Sequence, residues 1–173
     1  MKEIIYNYDY LNDSDISVLS QRTKALLING DYLYIGNEDS VFQFIGGHVE
    51  ENESFEDCLK REILEETGID ISDYKSLNPF MKITYYNKDY PKEGLNQKTV
   101  IQYYVVCINQ EPDISKTNYT EEEVRKHFKI EKILLNDSIK IIIENIPNAE
   151  KNKVIAYDMI QALEEYFKIT NHS

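Results

Sequence analysis

The sequence predicts a single α/β domain in which helices cover both faces of a mixed β-sheet. Short apolar, β-prone runs alternate along the chain with segments of helical character. No internal repeat with a period of about 20 to 50 residues is present, and no Pro-, Ser- or Gly-rich linker divides the chain. The length of 173 residues, 42% of them apolar, suits one domain that buries its own core without disulfides or structural zinc.

The first predicted elements are two strands joined by a tight turn. The runs Ile16–Ile28 and Tyr32–Ile35 are apolar and β-prone, and Asn29-Gly30-Asp31 lies between them. An Asn-Gly pair between such runs is the strongest short-range hairpin signal. Val41–Ile45 is expected to form a third short strand, which ends at two consecutive glycines.

A helix is expected after these glycines. The segment Glu53–Thr67 consists mostly of good helix formers, and Gly68 stands where helices commonly end in a left-handed residue. The chain therefore predicts a strand, a glycine turn and a helix in immediate succession.

The second half of the chain adds strands and two helices. Thr120 with Glu123 three residues later fits a capping box that opens a short helix. Apolar residues at helical spacing predict a C-terminal amphipathic helix over residues 148–168. Residues 1–15 are interpreted as an N-terminal extension of one domain that spans residues 16–173. The remaining strands are expected at Ile69–Ile71, Phe80–Tyr86, Thr99–Ile108 and Ile133–Leu135.

Composition and charge exclude several functional classes. The formal net charge of -12 repels polyanions, so binding of a nucleic-acid polymer through its phosphates is not expected. The longest apolar runs are far shorter than a membrane span of about 20 residues, and the N-terminus has no signal-peptide pattern. A cytoplasmic protein without membrane partners is expected, with Cys58 and Cys107 as buried reduced thiols.

Negative charge is concentrated around the predicted helix. Residues 50–66 contain eight acidic and two basic side chains. A solvated acidic face would lie opposite the apolar stripe of the helix. Glu62, Glu65 and Glu66 instead project into or beside the arc of apolar residues, at spacings of i, i+3 and i+4. Three carboxylates are therefore expected to face the body of the protein.

Such a cluster requires compensation. Two unit charges about 6 Å apart repel by roughly 3 kcal/mol at an effective dielectric constant near 20. Protonation or a hard divalent cation would offset this repulsion, and oxygen ligands without His or Cys favour Mg²⁺, with Mn²⁺ as a second choice. A divalent cation on carboxylates beside a glycine turn and a helix N-terminus is suited to diphosphate chemistry.

These residues also carry a family resemblance. The segment from Gly47 to Ile69 reads GHVEENESFEDCLKREILEETGI and resembles a complete Nudix box, G-x5-E-x7-R-E-U-x-E-E-x-G-U, with U a bulky aliphatic residue. Ile45 precedes the two glycines where many members have Pro. The matching residues are Gly47, Glu53, Arg61, Glu62, Ile63, Glu65, Glu66, Gly68 and Ile69.

The resemblance implies a Nudix-like α/β/α sandwich and hydrolysis of a nucleoside diphosphate linked to a group X, such as a nucleoside triphosphate, ADP-ribose, a nucleotide sugar or a dinucleoside polyphosphate. Its catalytic residues would be Glu53, Arg61, Glu62 and Glu66, with Glu62 orienting or deprotonating the attacking water and Arg61 pairing with Glu53. Metal ligands would come from Glu62, Glu65, Glu66 and a carbonyl of Gly46 or Gly47. Members often add a carboxylate beyond the box, for which Glu122 and Glu123 are the candidates, although an exposed helix start is an equally good interpretation of both.

The substrate contacts are less defined by sequence. The segment 82–98 is a lysine- and tyrosine-rich stretch in an acidic chain, and Lys82 and Lys98 could hold distal phosphates. Tyr85 and Tyr86 could stack on a base. The same residues also have a structural explanation. The lysines would lie in a solvated loop or on an edge strand, and the tyrosines would pack within a strand. His48 is interpreted as a loop residue without a catalytic role.

Two other functions remain open. Some Nudix domains bind a nucleotide without cleaving it, as sensors or regulatory modules, and these often lose box carboxylates that this chain retains. Isopentenyl diphosphate isomerase shares the fold but needs a catalytic cysteine, a role that the position of Cys58 inside the helix does not suggest. The expected partner is a small-molecule nucleotide, and because family members are often dimers the resemblance also admits a homodimer.

Overall fold

A computed structural model describes residues 1–149 and 153–171. Short 3₁₀ turns lie at Asp13–Asp15, Ile114–Lys116, Leu135–Asp137 and Ile146–Ala149. The strands are β1 (Lys2–Tyr6), β2 (Val18–Asn29), β3 (Tyr32–Glu38), β4 (Val41–Gln43), β5 (Pro79–Asn87), β6 (Gln97–Cys107) and β7 (Lys129–Leu134). The helices are α1 (Phe55–Thr67), α2 (Glu121–Arg125), α3 (Ser138–Asn145) and α4 (Lys153–Thr170). No helix among these residues is long and apolar enough to cross a membrane.

All seven strands form one mixed sheet in the order β1-β5-β6-β2-β3-β4, with β7 paired to β3. The predicted hairpin is confirmed, because β2 and β3 pair antiparallel across Asn29 and Tyr32. The pairs β2–β6 and β1–β5 are parallel, whereas β5–β6 is antiparallel. The N-terminal extension thus supplies the edge strand β1.

The alternation of side chains along β2 divides the core into two layers. Leu26 and Ile28 point into a cluster with Met159 and Leu163 of α4, whereas Ala25 and Leu27 point into a cluster with Leu59 and Ile63 of α1. Helices therefore cover both faces of the sheet, as the sequence predicts. This arrangement places α1 and α4 on opposite sides of the same central strand.

Local sequence signals account for the ends of α1 and α2. The Oγ of Ser54 accepts a hydrogen bond from the backbone N–H of Asp57, so α1 begins two residues later than predicted. Gly68 ends α1 in the predicted left-handed conformation, with φ 71°. Thr120 and Glu123 form the predicted capping box of α2.

Three expectations about local structure are wrong or incomplete, and one helix was not predicted. Ile69–Ile71 forms no strand; both isoleucines are buried because they pack beside α1 in its core layer. Cys107 is exposed, since it is the last residue of β6, whereas Cys58 is buried as expected. No helix was predicted at α3, whose run of isoleucines is more typical of a strand. Of the predicted helix 148–168, residues 150–152 lie outside the described residues, and α4 extends to Thr170.

Candidate active site

The glycine turn that precedes α1 is fixed to the central strand by backbone hydrogen bonds. The N–H of Thr23 donates to the carbonyl of Gly47 at 3.0 Å, and the N–H of Ala25 donates to that of Ile45 at 2.8 Å. Gly46 has φ 125°, and a Cβ there would lie 2.3 Å from the carbonyl oxygen of Thr23. Only glycine fits this position, because both the conformation and the close approach of β2 exclude a side chain.

The missing side chain of Gly47 makes room for a carboxylate. A Cβ at this residue would lie 2.3 Å from Oε1 of Glu62. Helix α1 buries Cys58, Leu59 and Ile63 against the sheet, so Glu62 projects from the edge of that face toward the turn. The turn and the helix therefore form one cradle.

Arg61 connects the carboxylates of this cradle. Its Nε and one terminal nitrogen donate to the two carboxylate oxygens of Glu53 at 2.8 and 3.0 Å. The other terminal nitrogen donates to Glu62 at 2.8 Å and to Glu65 at 3.0 Å. The guanidinium lowers the pKa of Glu53 and fixes the loop before α1 against the helix.

Glu66 is the most buried carboxylate of the site, with 4% of its surface exposed. It accepts a hydrogen bond from the N–H of Gly46 at 2.9 Å. Burial raises its pKa to about 8, against the opposing effect of Lys24 and the Gly46 amide. Burial likewise raises the pKa of Glu62. These groups resist ionisation unless positive charge is supplied nearby.

Lys24 of β2 brings part of that positive charge. Its Nζ donates to the carbonyl of Phe44 at 2.9 Å and, in a short contact, to the carbonyl of Gly46. The carboxylates of Glu62 and Glu66 both raise its pKa, although burial lowers it by more. The repulsion expected from the sequence is thus partly offset by two cations of the chain itself, Lys24 and Arg61.

The donor set of the cradle fits a hard divalent cation. In the described part of the chain, no three acidic, imidazole or thiol groups already surround one point as a complete metal site. Arg61 holds Glu62 and Glu65, while Glu66 faces the Gly46 amide. The available ligands are carboxylate and carbonyl oxygens, which suit Mg²⁺ or Mn²⁺, and their raised pKa values favour an added positive charge.

The cleft above the cradle is a polar cavity of about 500 Å³. Both carboxylates considered outside the box, Glu122 and Glu123, lie on its wall with the α1 cluster. Glu122 forms an ion pair with Lys126 at 2.7 Å, and Glu123 caps α2 through Thr120. Both side chains are therefore near the site but already have partners.

The four residues considered for substrate contacts lie apart from this cleft. Lys82 pairs with Glu3 of β1 at 2.8 Å. Lys98 and Tyr86 both hydrogen-bond to Asp13. Tyr85 differs from them, because it lines a second cavity next to the cleft.

Sequence reasoning missed residues that come from β2 and α4. Arg22 and Lys24 line the cleft, as does His48, whose Nε2 lies 3.1 Å from Nε of Arg22. The signal was present: Arg22 and Lys24 occupy one face of a strand that continues with the buried Leu26 on that face. Charged residues on an otherwise buried strand face indicate a functional site. Asp158 of α4 also lies near the cleft, but the sequence around it contains no pattern of this kind.

This chain is similar in sequence to known proteins. The model of the NUDIX domain matches residues 12–146. The mRNA-decapping protein OPG121 of vaccinia virus (strain Copenhagen) is 34% identical in an alignment of 97 residues that covers 53% of this chain and 43% of the viral protein. The match thus spans less than half the length of that relative.

Solved structures show the same fold at low sequence identity. An Ap4A hydrolase of C. elegans has a TM-score of 0.54 at 13% identity, over 89% of this chain and 99% of that one. The MutT protein of Bacillus halodurans has a TM-score of 0.51 at 17% identity, over 70% and 72%. The predicted α/β/α sandwich with a mixed sheet and a C-terminal helix is therefore confirmed.

Proposed function

The chain belongs to the NUDIX domain family, and from that premise we propose that it is a Mg²⁺-dependent pyrophosphohydrolase. Its substrate is a nucleoside diphosphate linked to a group X, and cleavage of the pyrophosphate bond releases two phosphorylated products. The observation that carries the proposal is that Glu62, Glu65 and Glu66 line one polar cleft with the glycine turn, and that burial raises the pKa of Glu62 and of Glu66.

The contacts support the following proposed roles. Oxygens of Glu62, Glu65, Glu66 and the Gly46 carbonyl would hold the cation, which supplies positive charge for phosphate oxygens and lowers the pKa of water. We propose that Glu62, which lies against Gly47, orients the attacking water and accepts its proton.

Arg61 keeps this geometry by holding Glu62 and Glu65 while it anchors Glu53. Arg22 and Lys24 add positive charge to the cleft wall, where phosphate oxygens of the substrate would lie. The polar cleft therefore suits a diphosphate and not an apolar ligand.

The group X is defined only by class. Nucleoside triphosphates, ADP-ribose, nucleotide sugars and dinucleoside polyphosphates are the proposed candidates. The vaccinia relative is an mRNA-decapping protein, so a capped RNA belongs in the same assay. The net charge of -12 favours a small nucleotide over a polymer.

Product analysis of the purified protein with these compounds tests the proposal. We expect cleavage that requires Mg²⁺ and stops on addition of a chelator. Glu66→Gln should lower turnover by roughly 10³-fold, because a metal-binding carboxylate contributes several kcal/mol to charge stabilisation. Glu56→Gln is the matched control, since Glu56 lies on the solvent face of the same helix and pairs with Lys60.

The competing function is a nucleotide sensor that binds without cleavage. Tight binding of one compound with no turnover of any would establish the sensor and refute the hydrolase. Retention of every box carboxylate favours the enzyme. A cytoplasmic location and a homodimer are further proposals, which cell fractionation and light scattering would test.

A further inference from the structure

A second cavity of about 430 Å³ adjoins the catalytic cleft on the α4 side of the sheet. This volume lies in the ordinary range of small-molecule sites. Its lining is mixed: Tyr85 and Tyr90 bring aromatic surface, Ile101 and Ile155 bring aliphatic surface, and one carboxylate comes from Asp158. Arg22 and His48 line both this cavity and the cleft, so the two spaces lie side by side.

Asp158 is a buried acid that the proposed chemistry does not use. Only 5% of its surface is exposed. The hydroxyl of Tyr85 donates to its Oδ1, and Tyr103 also hydrogen-bonds to it. A small cavity of about 50 Å³ under the same carboxylate is lined by Arg22, Lys24 and Asp158.

The carboxylate retains capacity for a ligand. An ionised carboxylate offers about four acceptor positions, and the two tyrosines occupy two of them. Because Asp158 lines the larger cavity, the remaining acceptors are available to N–H groups of a molecule bound there. A pair of adjacent N–H donors satisfies both at once.

We propose that this cavity binds the base of the nucleotide substrate and that Asp158 selects guanine through its N1–H and 2-amino groups. The proposal rests on the proposed function, since a base here leaves its phosphates at Arg22 and the cleft. Adenine presents one exocyclic donor beside a ring acceptor, and that acceptor would face the carboxylate. The geometry therefore disfavours adenine and also inosine-type bases, which lack the 2-amino donor.

Binding of nucleoside monophosphates tests this assignment without any hydrolysis. GMP, IMP, AMP and XMP contain no pyrophosphate, so titration calorimetry measures base recognition alone. The wild-type protein should bind GMP about 10- to 100-fold more tightly than IMP, which corresponds to one hydrogen bond to a charged acceptor. AMP should bind more weakly than GMP.

Asp158→Asn should change which base the protein prefers, and not merely weaken the binding of every base. The amide offers one acceptor and one donor, which complement the N1–H and the 2-oxo group of xanthine. We expect XMP to become the best ligand, with GMP about tenfold or more weaker than in the wild type. A role of Asp158 in anchoring α4 alone would weaken all four ligands alike. Glu164→Gln, an exposed acid on the same helix, is the control and should leave the order unchanged.

Equal wild-type binding of GMP and IMP, or tighter binding of AMP, would overturn the assignment even if the Asn variant failed to fold. Circular dichroism establishes folding of the variants. If the protein selects GMP but cleaves no nucleotide, the hydrolase proposal is refuted and the guanine site is supported. If it cleaves nucleotides but does not select GMP, the guanine site is refuted and the hydrolase proposal is supported.

Discussion

Asp158 should make the protein less stable at neutral pH than it is in mild acid. Burial raises the pKa of this carboxyl from 3.8 to about 6, although hydrogen bonds from Tyr85 and Tyr103 lower it. Between those two pH values the native state keeps the proton that the unfolded chain has released. Stability from this group is therefore lost as pH rises through that window.

The rise of this pKa from 3.8 to about 6 corresponds to roughly 3 kcal/mol. Asp158→Asn cannot ionise and should escape this cost. At pH 8 the free energy of unfolding of the variant should exceed that of the wild type by up to about 3 kcal/mol, and by roughly half as much at pH 5. Tyr85 and Tyr103, the titratable groups that face Asp158 from β5 and β6, remain neutral in this range because burial raises their pKa values. Arg22 stays charged.

Urea denaturation of both proteins from pH 5 to pH 8.5, followed by circular dichroism, measures this difference. Titration of other acids cancels in the comparison, and Glu164→Gln should give a difference that does not vary with pH. A gap between wild type and Asp158→Asn that stays constant across the range would refute the reasoning, because a buried ionisation must appear as a slope.

Two further changes test the cradle. Gly47→Ala would place a Cβ 2.3 Å from Oε1 of Glu62, so turnover should fall about 10²-fold because that carboxylate is displaced. Gly30→Ala is the control, since a Cβ there meets no atom within 4 Å. This variant should lose some stability because of the positive φ at residue 30, but its turnover should not change. Arg61→Lys keeps the charge but loses the paired bonds to Glu53, and Mn²⁺ affinity measured by electron paramagnetic resonance should drop about tenfold. An unchanged Mn²⁺ affinity would contradict the positioning role of Arg61.

The chemistry of the first half of the chain could be predicted because its signals are local. The Asn-Gly turn, the glycines before α1, the left-handed Gly68 and the i, i+3, i+4 carboxylates all act within a few residues of sequence. Such short-range patterns fix the backbone before any tertiary contact is known. The turn, the helix and its inward-facing glutamates therefore emerged from sequence alone.

The contacts that complete the site are long-range. Lys24 reaches the Gly46 carbonyl across 22 residues of sequence, and Asp158 meets Tyr85 across 73. No local pattern encodes which strands become neighbours. Ile69 was likewise predicted to lie in a strand, although it is buried without pairing in the sheet. An apolar run in the sequence does not show whether its backbone pairs with a neighbouring strand or its side chains only pack in the core.

Helix α4 lies beyond the region that the family model matches, which ends at residue 146. The turn and the glutamates of α1 lie inside that region, so the hydrolytic machinery and the proposed base pocket are built partly from separate segments. Evolution can therefore exchange the residue at position 158 while the bond-breaking apparatus is conserved. Relatives with an identical box can therefore differ in the nucleotide that they bind. A classification of such proteins should use the residues of this helix that face the sheet as well as the residues of the box.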